Sequence, residues 1–134
     1  MNFEIKISDE FEVAAKQLSK RYRSFVDDYS DFLDDIRKNP YQGVEFMPGI
    51  RKVRLAIASK GKGKSGGARI ITFTYTISEK DGVVYLLLVY DKSDASTVKK
   101  KAVMKMLKEL GFDIPKMQTE GVLKPIEIEE TDKL

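Results

Sequence analysis

The chain has no cysteine and no histidine. The first absence excludes disulfides and thiolate metal sites. The second removes the commonest general base near neutral pH and the commonest metal ligand. Any acid–base chemistry must therefore use Lys, Arg, Tyr, Asp or Glu. Long apolar runs are missing as well. The longest, Val83 to Tyr90, is strand-sized, and the opening Met1-Asn-Phe-Glu-Ile-Lys-Ile7 has neither a signal-peptide core nor a membrane span. A cytoplasmic protein without a membrane partner is the expectation. The most local absence is of negative charge. No acidic residue stands between Glu45 and Glu79, whereas seven basic ones do: Arg51, Lys52, Arg54, Lys60, Lys62, Lys64 and Arg69. The whole chain is only +3, so this is segregation of charge and not general basicity, and segregation is the better sign of a binding face.

What is present fits one domain. A chain of 134 residues with 42% apolar content can close a single core. Phe3, Ile5 and Ile7 alternate with polar neighbours, as in a half-buried strand. Asp9 with Glu12 reads as a capping box opening a first helix, whose stripe is Phe11, Ala14, Ala15 and Leu18. A second helix spans about Ser24 to Lys38, with Phe25, Tyr29, Phe32, Leu33 and Ile36 on one face, and Asn39-Pro40 stops it. Asp27, Asp28, Asp31, Asp34 and Asp35 read as its solvated side, not as a metal site. The two helices should form a hairpin. Strands are expected around Val53, Leu55 and Ile57, over Arg69–Ser78 and over Val83–Tyr90, with Asp81-Gly82 as the turn between the last two. Thr97 to Leu110 reads as a helix ended by Gly111. Its inner row is Val98, Ala102, Met106 and Leu110, widened by Val103 and Leu107; its solvent side carries Lys99, Lys100, Lys101, Lys105 and Lys108. Met104, Met106 and Met117 read as packing.

The segment Lys60-Gly-Lys-Gly-Lys-Ser-Gly-Gly-Ala-Arg69 suits an anion, because glycines let backbone N–H groups approach it and lysines add charge. Residues 58–65 fit a relaxed nucleotide-binding P-loop, but that motif must open into a helix, and here strand sequence follows. Lys60, Lys62 and Lys64 are instead read as gripping a nucleic-acid backbone. Lys52 and Arg54 share one strand face, and Arg69 opens the next strand across from them, so separate segments should bring cations to one site.

The helix hairpin, the Arg-Lys-Val-Arg54 strand, the Gly-Lys-Ser-Gly-Gly-Ala-Arg69 loop and the Tyr85-Leu-Leu-Leu-Val-Tyr-Asp-Lys92 strand together resemble the RelE/HigB-like toxins of bacterial toxin–antitoxin pairs. The likeness spans about residues 1–111; residues 112–134 form a tail outside it, read as extended or frayed. The resemblance implies an α+β fold, a small antiparallel sheet against an N-terminal helix hairpin and a C-terminal helix, as in microbial ribonucleases. It implies an mRNA interferase that cuts in the ribosomal A site without metal or cofactor, the 2′-hydroxyl attacking the adjacent phosphate. The implied partners are mRNA, the ribosome and a cognate antitoxin. The family's arginine after the glycines falls on Arg69, its two strand cations on Lys52 and Arg54, and the basic residue after the last strand on Lys92. An ungapped alignment from Arg69 selects Lys60 and Lys62 in place of the strand pair. RelE-type members carry a tyrosine some six residues beyond, where this chain has Ser96-Thr-Val98, and Tyr90 is the candidate to stack on a base. Two other functions go with the same fold: a non-enzymatic RNA- or ribosome-binding module, and a ParE-like inhibitor of DNA gyrase.

Overall fold

The computed structural model describes residues 2–61, 63–94 and 98–112, with the side chains of Lys64 and Ser65 left aside. Lys62, the Lys64 side chain and residues 113–134, for which the sequence raises expectations, lie outside the described residues, as do Ser96 and Thr97. The fold is α+β. Strand β1 (Asn2–Ile7) leads to α1 (Asp9–Arg21) and α2 (Phe25–Lys38). Strands β2 (Val44–Met47) and β3 (Ile50–Leu55) follow, then a 3₁₀ turn at Ala58–Lys60 and one helical turn, α3 (Gly63–Gly66). Strands β4 (Ala68–Thr76) and β5 (Asp81–Asp91) form a hairpin, and α4 (Lys100–Glu109) closes the described chain. The sheet order is β1-β5-β4-β3-β2. Neighbours from β2 to β5 run antiparallel, and β1 joins β5 in parallel, so the sheet is mixed where antiparallel pairing throughout was expected.

Each face of the sheet has its own core. On one side Phe11, Leu18, Phe25, Phe32 and Ile36 of the helix hairpin cover Val53, Leu55, Ile70, Val84, Leu86 and Val89. On the other, Val103 and Leu107 of α4 cover Ile50, Ile71, Phe73 and Leu87, with Phe112 edge-on to Phe73 at 5.0 Å between ring centres. This is why β5 reads as an uninterrupted apolar run: both of its faces are buried.

Local chemistry revises several expected boundaries. The cap of α1 is Ser8, not Asp9: its hydroxyl accepts from the Phe11 N–H at 3.0 Å and donates to the Leu87 carbonyl at 2.7 Å, tying helix to sheet. Asp81 and Gly82 lie inside β5, and the turn falls on residues 77–80, where the Ser78 hydroxyl accepts from the N–H groups of Lys80 and Asp81. Gly82 serves packing: a Cβ there would stand 2.4 Å from the Phe3 ring. In α4 the buried pair is Val103 and Leu107, while Ala102 and Leu110 face solvent and Met104 and Met106 pack at the margin. Gly111 ends the helix at φ +95°, as expected. No helix among the described residues is long and apolar enough to cross a membrane.

Candidate phosphate-binding site

Lys52 and Arg54 are two apart on β3 and so project from the same sheet face. Arg54 lies directly opposite Arg69 of β4, and Arg69 opposite Tyr90 of β5. Lys92 follows the end of β5, fixed there by its N–H donating to the Gly67 carbonyl at 3.1 Å. This is the face that α4 covers, but α4 packs at the other end of the strands, against Phe73 and Leu87. The end bearing the cations stays open. A cavity of about 430 Å³ forms there, lined by Lys52, Arg54, Arg69 and Lys92 with Gln42, Gly43, Val44 and Val53. Among the described residues, no acidic side chain lines it.

The four cations are held differently. Arg69 is only 5% exposed, and its Nη1 donates to the Ala68 carbonyl at 3.0 Å. Burial and then Arg54 lower its pKa, but a guanidinium keeps its proton at any working pH. Lys52 is half-buried. Burial lowers its ammonium pKa, and the charges of Arg69, Arg54 and Lys92 lower it further. Arg54 and Lys92 are exposed. One buried guanidinium, one half-buried ammonium with a lowered pKa and two exposed cations thus face a common space. Such a set can clamp a phosphate and take a proton beside it.

Of the other sequence candidates, Lys60 and Tyr90 are described, and neither lines the cavity. Lys60 does not line the cavity. Its ammonium donates to Asp91 and, at 3.2 Å, to the Ser93 hydroxyl, and its side chain is only 10% exposed. Tyr22 donates to the same Asp91 carboxylate, as do the Ser93 N–H at 2.9 Å and hydroxyl at 2.7 Å. Burial pushes the Asp91 carboxyl up, but hydrogen bonds from Lys60, Tyr22 and Ser93 outweigh it and hold the group well below the usual carboxylate range. The 3₁₀ turn is fastened on its other side too. Asp28 accepts from the Ala58 N–H at 3.1 Å, and the Ser24 hydroxyl accepts from the Ser59 N–H at 2.8 Å. Asp28 is therefore a loop anchor and not part of a merely solvated face. The first half of the lysine loop is a docked structure in which Lys60 has an internal counter-charge. Tyr90 packs its ring against the α4 core beside Arg69 without lining the cavity, and burial raises its pKa. Arg51, of opposite parity to Lys52, pairs with Glu45 at 3.3 Å.

Sequence reasoning missed Asp91 and Gln42. One signal for Asp91 was available: a lone carboxylate ending an apolar strand among cations calls for a partner. Nothing in the sequence singled out Gln42. Among the described residues no group of three or more acidic side chains is arranged as a metal site. No family model matches the chain.

Proposed function

We propose that this chain is an RNA-cleaving toxin that inhibits translation by cutting mRNA on the ribosome, held in check by an antitoxin. The observation that carries the reading is the convergence of Lys52, Arg54, Arg69 and Lys92 on one cavity. Cations brought this close repel one another, as the lowered pKa values of Lys52 and Arg69 reflect, and a bound phosphodiester relieves that repulsion. The proposed step uses only these groups. Lys52, as free base, takes the proton of the ribose 2′-hydroxyl. The oxygen attacks the adjacent phosphorus, and Arg69 and Arg54 hold the charge that builds on the phosphoryl oxygens. The bond to the 5′-oxygen breaks, Lys92 gives that oxygen a proton, and a cyclic phosphate and a free 5′-hydroxyl result. General-base help is worth roughly 10²- to 10⁴-fold in such reactions, and one well-placed charge donor about 3 to 4 kcal/mol. An acidic, partly disordered antitoxin segment laid over the same cavity would neutralise it.

The test is a reconstituted translation reaction with mapping of mRNA ends. Codon-phased cuts are expected from the wild type, reduced about 100-fold or more by Arg69→Ala in a folded protein. Translational arrest without cuts would replace cleavage by plain RNA or ribosome binding. Cuts undiminished in Arg69→Ala would remove the assigned site.

A further inference from the structure

Four of the side chains lining the cavity are cations, and one is not charged yet fully polar: Gln42. A phosphate has no need of a carboxamide beside two lysines and two arginines. Gln42 is also held in place. The loop before β2 is fastened at Pro40, whose carbonyl accepts from the Thr74 hydroxyl at 2.9 Å. Asn39 accepts through its side chain from the Tyr41 N–H at 3.2 Å and through its carbonyl from the Gln42 N–H at 3.3 Å. On the other side Gly43, at φ +100°, lets the loop lie so close to β3 that a Cβ would stand 2.7 Å from the Lys52 carbonyl. Between these fixed points the Gln42 Nε2 is buried in the cavity wall and has no hydrogen-bond partner among the described residues, so it gains one by turning about its side-chain bonds toward a ligand in the cavity. Buried polar atoms are nearly always paired, so an exception in a cavity wall marks a place where a ligand completes the bonding.

Resting on the RNA-cleaving reading above, we infer that Gln42 is the specificity-determining residue of the cavity: its carboxamide reads the edge of a nucleobase next to the phosphate held by the four cations. A carboxamide offers a donor and an acceptor side by side, as does each base edge, and phosphate oxygens offer acceptors only. The cations fix the backbone, which is alike in every nucleotide; among the described lining residues the amide is the uncharged group that presents a donor and an acceptor together to a base. Gln42 is not assigned a part in bond breaking.

The experiment measures binding of short homopolymeric RNA oligonucleotides of A, C, G and U by fluorescence anisotropy, with 2′-O-methyl groups to prevent cleavage. Wild type, Gln42→Met, Gln42→Ala and Arg69→Ala are compared, each checked by thermal melting. Gln42→Met keeps length and packing without polar atoms, so it decides the matter should Gln42→Ala fold poorly. The wild type is expected to prefer one base by about tenfold, and Gln42→Met to shrink that preference to about twofold by weakening the favoured oligonucleotide alone. Arg69→Ala should weaken all four by a similar factor. A wild type that binds RNA without base preference, or a preference unchanged in Gln42→Met, overturns the role of Gln42 and leaves the cleavage reading intact. A wild type that binds none of the four overturns both.

Discussion

At the scale of single residues, the proposed cleavage turns on the protonation of Lys52. Its ammonium pKa is lowered by burial first and by Arg69, Arg54 and Lys92 next. A base acts in its deprotonated form, so single-turnover cleavage should rise with pH and level off at the Lys52 pKa. Removing one neighbouring charge with Arg54→Gln lets the ammonium keep its proton longer, so the rising limb should move to higher pH. A limb that stays where it was would mean that Lys52 is not the titrating group. Asp91 makes the opposite demand. Its carboxylate is fully enclosed and bound to Lys60, Tyr22 and Ser93. Asp91→Ala leaves the Lys60 ammonium buried without its counter-charge, a loss of about 3–5 kcal/mol in stability. The folded-state pKa of Asp91 lies below its unfolded value of about 3.9. The stability it contributes is therefore complete above that unfolded value and is lost as pH falls through the folded one. Urea unfolding at neutral and acid pH checks both points: wild type and Asp91→Asn should differ strongly at pH 7 and converge in acid. A constant difference across pH would assign the effect to packing.

At the scale of elements, the start of β4 decides where Arg69 stands. Gly67 packs so tightly that a Cβ would lie 2.1 Å from the Leu55 carbonyl. Gly67→Ala must push β4 from the end of β3 and carry Arg69 with it. Overpacking of this kind costs about 1–3 kcal/mol, and cleavage should fall together with the denaturation midpoint. A variant destabilised but fully active would show that Arg69 tolerates displacement. The elements themselves were largely legible in the sequence. Period-two alternation of Val53, Leu55 and Ile57 and the apolar run of 83–90 mark strands, and the aromatic stripe of α2 marks its buried face. The grouping of Lys52, Arg54 and Arg69 followed from parity and strand adjacency. What escaped was set by contacts between distant segments. β2 is four residues long and irregular, too short for periodicity to register. The clasp of Asp28 and Ser24 on the 3₁₀ turn joins residues some thirty positions apart. Lys60 carries the same charge in sequence whether it meets RNA or Asp91. Only the fold decides between them.

At the scale of the whole molecule, one sheet serves two cores and one cavity. The helix hairpin covers an entire face, whereas α4 covers half of the other and leaves the rest to the cations. Adjacent residues of β4 belong to different cores: Ile70 faces the hairpin and Ile71 faces α4, each 0% exposed. Because the two layers share β3, β4 and β5, they should melt as one unit. Ile70→Ala and Ile71→Ala are each expected to cost about 2–5 kcal/mol. Both should show coincident transitions by far-UV circular dichroism and tyrosine fluorescence. Separate transitions in Ile71→Ala would mean that the α4 layer is an independent appendage.

The parallel union of β1 with β5 also sets a clock on synthesis. Asn2 lies opposite Asp81, so the first strand made waits for nearly the last before it finds its neighbour. Lys52, Arg54 and Arg69 leave the exit tunnel earlier, but Lys92 and the wall behind Arg69 arrive only with β5. A nascent chain broken off before that point carries three of the four cations on a wall that is not yet built.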